Sequence, residues 1–381
     1  MDKLPVQLSE ILARHKAENS FRTGGTTGGL VDFSSNDYLG LASSPELFDA
    51  TRDFLQQKKL VVNGATGSRL ITGNHPLYIE AEELIADFHQ SECSLIFNSG
   101  YDANVGFFSS VPQKGDVVLY DEYIHASIRD GIRLSGAQSY KFAHNDKESL
   151  YKLVERYRSK AVEIYIVTEA VFSMDGDTPN LEAFAEISER YKCRLVVDEA
   201  HSTGIFGERG QGLLQVFGLH KRVFARLISF GKALGCHGAA VLGSEELVAY
   251  LANFARSFVY TTALPPHSLA TIISSYKLVK ENPLLVNKLQ TAISHFKTET
   301  ERCHLPFILS FSAIHSIVIP GNDRARKIAG MLQRAGYSVK AILSPNVPNG
   351  QERLRFCVHS FNTRTEMSIM MDMLTQAIRF S

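Results

Sequence analysis

A chain of 381 residues is too long for one small core, so it predicts two domains, or one large α/β domain with a smaller companion. Hydrophobic residues at 44% and charged ones at 21% fit a soluble globular protein, and 40 basic against 40 acidic side chains leave no net field to gather nucleic acid or an anionic membrane. Five widely spaced cysteines (Cys93, Cys193, Cys236, Cys303 and Cys357), without a CxxC pair, argue for reduced thiols and against a disulfide framework or a zinc site.

The opening stretch, MDKLPVQLSEILARHKAENS, reads as a charged amphipathic helix that lacks the apolar core of a signal peptide. No run reaches the ~18 apolar residues needed to cross a bilayer, so a cytoplasmic protein is expected. Residues 1–45 are expected to form an N-terminal segment, 46–285 a large α/β domain and 286–381 a smaller α+β domain. In HPLYIEAEELIADFHQ the spacing is helical, with Leu77, Ala81, Leu84, Ile85 and Phe88 on one side. CSLIFNSG, DVVLYDE, VEIYIVTEAVFS, CRLVVDEAHS and RVFARLISFGK are apolar runs of strand length, with helix-like stretches such as NLEAFAEISERYK between them. Near-continuous apolar strands alternating with amphipathic helices predict a mostly parallel central sheet covered by helices on both faces. After TTALPPHS comes one long helical stretch. FSAIHSIVIPG, DRARKIAGMLQRAG, YSVKAIL, RLRFCVHS and a final helix then make up the smaller α+β unit.

Ligands of parallel α/β sheets bind beyond the carboxyl ends of the strands, so the polar residues that close the apolar runs are informative. YIVTEAVFS closes on Glu169 and Ser173, RLVVDEAH on Asp198 and His201, and ARLISFGK on Ser229 and Lys232, while LIFNSGYDAN ends in a turn at Gly100 before a helix. Each alone has an ordinary explanation: Asp198 as a helix cap or ion-pair partner, His201 as a structural histidine, Gly100 as a turn, Lys232 as a surface lysine. Their joint occurrence at consecutive strand ends favours one site. The letters DEAH also mark the magnesium-binding strand of some helicases, which need GxxxxGK[ST] as well. Here Ala233 follows Gly231-Lys232, and Arg226 stands where the first glycine should be.

A lysine, an aspartate and a phosphate-binding turn together are what pyridoxal 5'-phosphate requires. Lys232 would form the imine that holds the cofactor, and a partly desolvated glycine-rich turn lowers an amine pKa. Asp198 would keep the pyridine nitrogen protonated. Backbone N–H groups at the helix start near Gly100, with the Ser229 hydroxyl, would hold the phosphate. His125 in DEYIHASIRDG is the candidate ring to stack on the cofactor, and no metal enters this chemistry.

These residues stand in strings that resemble the α-oxoamine synthases, pyridoxal-phosphate enzymes of the fold-type I aminotransferase superfamily. The landmarks follow family order over nearly the whole chain: FSSNDYLGLA (33–42), GATGSRLITGNHPLYIEAEELIADF (64–88), NSGYDANVG (98–106), DEYIHASIRDG (121–131), FAHND (142–146), TEAVFSMDGDTPNL (168–181), VDEAHSTGIFGERGQG (197–212), SFGKALGCHGAAVLG (229–243), FVYTTALPP (258–266) and ERLRF (352–356). The resemblance implies a fold-type I aminotransferase-like α/β fold with a smaller C-terminal α+β domain. It implies Lys232 as the Schiff-base lysine, Asp198 as the pyridinium partner, His201 bonded to the ring phenolate oxygen and His125 stacked on the ring. Gly100 and Tyr101 would give backbone donors to the phosphate and Ser229 its hydroxyl, with Ser173 and Glu169 near the ring edge. Thr261 or Thr262 would reach a phosphate in the neighbouring subunit of a homodimer with shared active sites. Asn36 and Arg355 resemble residues near the amino-acid substrate, with Arg355, or else Arg353, gripping its carboxylate. Asp102 departs from the pattern by putting a carboxylate beside the phosphate turn, and a tilt away from the phosphate is expected.

The family joins an amino acid to an acyl-CoA thioester with loss of carbon dioxide and CoA. Lys232 is then the expected base, and His201 with its neighbours would stabilise the oxyanion. Ser68 before Arg69 resembles the alanine- or serine-using branches, where glycine-using ones tend to carry Thr or Val. GSRLITG is most like the branch that uses L-alanine with a pimeloyl thioester, so pimeloyl-CoA is the expected donor, with an acyl-carrier-protein thioester left open. Serine palmitoyltransferase, 2-amino-3-ketobutyrate CoA ligase and signal-molecule synthases share most of these motifs, so another α-oxoamine synthase is the first alternative, and an aminotransferase, turning over alanine and a keto acid without releasing thiol, is the second. A non-catalytic scaffold has no use for an intact Lys232, Asp198 and His201.

Overall fold

The computed structural model describes residues 4–17, 21, 24 and 28–380. Its strands in chain order are β1 (Val31–Asp32), β2 (Cys93–Phe97), β3 (Val117–Asp121), β4 (Gln138–Phe142), β5 (Ile164–Glu169), β6 (Arg194–Asp198), β7 (Ala225–Ser229), β8 (Ala239–Gly243), β9 (Ile314–Val318), β10 (Tyr337–Ser338), β11 (Lys340–Ile342) and β12 (Arg353–Cys357). Seven form one sheet in the order β2-β8-β7-β6-β5-β3-β4. The strands from β4 to β7 are parallel, and β8 runs antiparallel to both β7 and β2.

A parallel strand buried on both faces must be apolar at successive positions, and β5 is buried throughout. Its Tyr165 and Val167 join one apolar cluster with Phe107, Ile128 and Leu227, while Ile164 and Ile166 join another with Phe184, Leu195 and Leu214. This alternation is the two-residue period of a strand and puts helices on both faces, as the sequence predicts. The edge strand β4, QSYKF, is largely exposed and accordingly polar. β8 lies in the glycine- and alanine-rich stretch after Lys232, which carries little strand signal of its own.

β11, β12 and β9 make an antiparallel sheet covered by the helix Asn322–Arg334, and the helix Arg364–Arg379 packs on that helix and on Leu284–Arg302. The single long helix expected before them is two, Pro266–Glu281 and Leu284–Arg302, parted at Asn282-Pro283, where proline lacks the N–H to continue the ladder. Residue 285 therefore lies inside the second helix. One apolar cluster runs unbroken from Tyr78 and Ile85 through Tyr276 to Ile317, Leu354 and Met370.

Most of the opening stretch forms the helix Val6–Ala17, which buries none of its side chains; residues 1–3 and 18–20 of that stretch lie outside the described residues. Further on, the N-terminal segment is woven into the smaller sheet's side of the molecule. β1 pairs parallel with β10, Phe33 N–H donates to Ser338 O, and Cys357 N–H donates to Phe33 O. The chain then crosses to the turn that carries Lys232. Gly235 there has φ +62°, and a Cβ on it would lie 2.4 Å from the backbone of Leu41 and Ala42, so only glycine permits the approach. Among the described residues no helix is long and apolar enough to cross a membrane.

Candidate active site

β5, β6 and β7 end side by side, which sets Glu169 opposite Asp198 and Asp198 opposite Leu227, with Ser229 two residues further along β7. Beyond these ends lies a cavity of about 210 Å³ lined by Gly100, His125, Glu169, Asp198, His201 and Lys232, among others. The chain leaves β7 at Ser229, makes a turn closed by Phe230 N–H to Gly238 O and Cys236 N–H to Phe230 O, and returns as β8. Lys232 sits on that turn, half-buried, with Nζ 2.9 Å from His201 Nε2. Burial lowers the pKa of its amine, against the opposing pull of the Asp198 and Glu169 charges.

His201 is buried, and its Nδ1 lies 2.7 Å from Tyr38 Oη. Burial holds its imidazole well below the ordinary histidine pKa, with the charges of Lys232 and Arg355 acting in the same direction, so the ring is neutral at pH 7. Asp198 is fixed on both oxygens: Ala200 N–H donates to one at 2.9 Å and Asn104 Nδ2 to the other at 3.0 Å. Asn104 also donates to Ser127 Oγ at 3.0 Å, which lies 2.7 Å from His125 Nδ1. His125 caps the helix Ala126–Leu134, and its backbone N–H donates to Glu169 Oε1 at 2.6 Å. Burial, with Asp198 as neighbour, pushes the Glu169 carboxyl up to about 8 although the Lys232 charge opposes the shift, so it holds a proton at neutral pH.

The helix Gly100–Ser110 begins at the same edge, capped by Ser99 Oγ, which accepts from Asp102 N–H at 3.0 Å. Asp102 bends back and accepts a hydrogen bond from Ser99 Oγ at 2.8 Å. A Cβ on Gly100 would stand 3.7 Å from Ser229 Oγ, so the bare glycine leaves a cradle between the helix start and a hydroxyl.

These residues fit pyridoxal phosphate by the chemistry of the donor set: an amine of lowered pKa, a carboxylate clamped in place, and a helix N-terminus facing a hydroxyl across one cavity. The family model for class I and II aminotransferases matches residues 29–373. The chain belongs to the class I and II aminotransferase family. An 8-amino-7-oxononanoate synthase of Emericella nidulans is 41% identical over 361 residues, covering 90% of this chain and 88% of that protein. The crystal structure of 8-amino-7-oxononanoate synthase from Francisella tularensis is 30% identical, with a TM-score of 0.78 over 92% of this chain and 98% of that one. A serine palmitoyltransferase solved with PLP shares the fold, at 24% identity and a TM-score of 0.91 over all of this chain and 99% of the other. Within the aminotransferase family this chain has the fold-type I architecture and is an α-oxoamine synthase, a pyridoxal-phosphate-dependent acyltransferase.

In this aminotransferase-family site Arg355 and Arg353 have different surroundings. Arg353 is buried and locked in an ion pair with both oxygens of Asp175. Arg355 donates to Ser173 O at 2.7 Å and to Asn36 Oδ1 at 3.0 Å, so Ser173 contributes its carbonyl here, not its hydroxyl. Tyr101 lines the cavity and donates through its hydroxyl to Asp130 at 2.7 Å. Six expected residues, Asn36, Ser68, Ser173, Thr261, Thr262 and Arg355, lie outside the cavity lining. Thr261 and Thr262 accept from Asn98 Nδ2 at 3.1 and 2.6 Å, next to the Ser99 cap. Ser68 closes a turn whose carbonyl accepts from Ile71 and Gly73 N–H, and Arg69 beside it is spent on Glu82. Tyr38, Asn104 and Ser127 were not expected. Asn104 carries a signal, because it falls one helical turn after Gly100 among apolar neighbours.

Proposed function

We propose that this chain condenses L-alanine with pimeloyl-CoA, giving the α-oxoamine, carbon dioxide and CoA, as the names of its 8-amino-7-oxononanoate synthase relatives suggest. The observation that carries the reading is the Lys232 amine of lowered pKa, 2.9 Å from a neutral His201 in the cavity shared with Asp198 and Glu169. When bound, pyridoxal phosphate supplies an electron-poor ring that accepts the charge left at the amino acid's Cα. The Gly100 and Tyr101 N–H groups and Ser229 Oγ would hold the phosphate, Asp198 the ring nitrogen, His201 the phenolate oxygen and the His125 ring the open face. Lys232 Nζ takes the α-proton, because a desolvated amine is neutral often enough to act as a base. Arg355 binds the amino-acid carboxylate, with Asn36 steering the guanidinium. His201 then donates to the oxyanion as the thioester carbonyl is attacked.

We infer further that the protein is a cytoplasmic homodimer, with a smaller unit that starts near Asn282-Pro283 instead of at 286. Val61, Val62, Leu70, Ile71 and Tyr260 are exposed around Ser68 and Thr261, and burial of that apolar surface against a second copy would bring Ser68, Thr261 and Thr262 to the partner's site. Thiol release from the cofactor-loaded protein, measured with glycine, L-alanine and L-serine against acetyl-, pimeloyl- and palmitoyl-CoA, tests the substrate choice. L-alanine with pimeloyl-CoA should be fastest; preference for glycine, serine, or an acetyl or palmitoyl donor overturns that choice.

A further inference from the structure

Between β5 and the helix Leu181–Tyr191 the chain passes along the smaller sheet at residues 173–177. Met174 O accepts from Ser316 Oγ at 2.6 Å, and Gly176 O accepts from Ser310 Oγ and Ser312 Oγ at 2.9 and 3.0 Å. Those bonds tie the loop to β9 and to the chain before it. Two more contacts fall on β12, the middle strand of that sheet. Ser173 O accepts from Arg355 Nε at 2.7 Å, and Asp175 pairs through both carboxylate oxygens with Arg353.

Successive side chains of a strand alternate between its faces, so Arg353 and Arg355 share one face of β12, about 7 Å apart along it. Ser173 and Asp175 are also two residues apart and meet the arginines in reverse order, 173 with 355 and 175 with 353. The two contacts therefore express one register, and a slip of the loop by one residue would break both. They differ in strength. Asp175 and Arg353 are both buried, and the Arg353 guanidinium is held further by Nε donating to Gln351 O at 3.0 Å. A charged pair shielded from water outweighs one hydrogen bond from the half-buried Arg355 to a carbonyl. Arg355 in turn has two acceptors from separate parts of the chain, Ser173 O at Nε and Asn36 Oδ1 at Nη2, 3.0 Å away. Together they set the plane of its guanidinium, and a guanidinium takes a carboxylate in that plane.

We propose that Asp175 and Arg353 are positioning residues for the amino-acid substrate: their ion pair fixes the register of residues 173–175 on β12, and with it the Ser173 carbonyl that aims Arg355 at the substrate carboxylate. The inference rests on the reading of Arg355 as the carboxylate-binding residue. It gives the two arginines of β12 different work. Arg353 is satisfied by a carboxylate of the protein, and Arg355 is held ready for a carboxylate that arrives. The pair thus contributes to amino-acid affinity without touching the amino acid.

Removing one partner of a buried pair destabilises a fold, whereas replacing both by apolar side chains of like volume is often neutral. Asp175→Leu combined with Arg353→Met therefore removes the register lock and keeps the fold. The cofactor-loaded protein is titrated with L-alanine and with L-alaninol, which has the same amine and no carboxylate, and binding is read from the visible absorption band with no thioester present. The double variant should bind L-alanine about tenfold more weakly than the wild type, the worth of one hydrogen bond to a charged group, and L-alaninol within about twofold of it. Unchanged affinity for L-alanine, or equal weakening of both ligands, overturns the inference. Arg355→Ala separates it from the reading beneath. If that variant weakens L-alanine alone and the double variant does not, the inference falls and Arg355 remains the carboxylate-binding residue; if Arg355→Ala leaves L-alanine binding unchanged, both fall. Should the double variant fail to fold, Asp175→Asn takes its place, since it keeps an amide oxygen for Arg353. L-alanine weakened by about threefold or more, with L-alaninol unchanged, then supports the inference, and any smaller effect overturns it.

Discussion

Glu169→Gln should make the cofactor-free protein more stable at alkaline pH and leave it unchanged in mild acid. The carboxyl is 3% exposed, and burial with Asp198 as its neighbour lifts its pKa from an ordinary 4.5 to about 8. Between those values the folded chain keeps a proton that the unfolded chain has lost, so this group's contribution falls as pH rises through the window. At about 1.4 kcal/mol per unit, the full penalty above the upper value is about 5 kcal/mol. Glutamine has no charge to bury, and its amide oxygen can still accept from His125 N–H. Urea unfolding at one fixed protein concentration measures the difference, since a dimer's stability depends on concentration. At about pH 5 the two proteins should agree within about 1 kcal/mol. At about pH 9 the variant should lead by several kcal/mol. A difference that does not change with pH would refute the assignment of a proton to Glu169.

Lys232→Ala should abolish both the visible absorption band of the cofactor-loaded protein and thiol release, and a retained band would remove Lys232 from the site. Asp175→Ala leaves Arg353 buried without its partner, so it should cost about 3–5 kcal/mol in chemical unfolding. Arg355→Ala should instead raise KM for the amino acid with little loss of stability, as read from steady-state thiol release and Tm. His144 lies 2.9 Å from Asp121 and 2.7 Å from Asp177; burial opposes its charge, but the two carboxylates outweigh burial and raise its pKa to about 9. Its stabilisation should be full below about pH 6.5 and lost as pH rises through about 9. His144→Asn should therefore flatten stability over that range, and an unchanged slope would contradict the pairing.

The site was legible in the sequence wherever a polar residue closes an apolar run, as Glu169, Asp198 and Ser229 do. One such residue has ordinary explanations, but several at consecutive strand ends are brought to one edge by the sheet itself. Tyr38 was out of reach because its role depends on β1 joining β10, a pairing of two residues too short to leave a pattern. Ser127 acts through a contact between helices, with Asn104, which spacing along its own helix does not reveal. β8 went unread because Ala239–Gly243 has only Val241 as a strong strand former and is held by β2 and β7 on its two sides. Between Arg353 and Arg355 the string RLR favours the second by resemblance, but the sequence does not show what faces each residue of β12. Asp175 reaches the first and Ser173 the second.

The proposed condensation loses two groups, carbon dioxide from the amino acid and the thiol from the thioester. Cofactor-loaded protein supplied with carboxyl-labelled L-alanine and pimeloyl-CoA should release labelled carbon dioxide and free thiol in equal amounts. Formation of a keto acid from alanine, with neither carbon dioxide nor thiol released, would contradict the synthase reading and make the protein an aminotransferase.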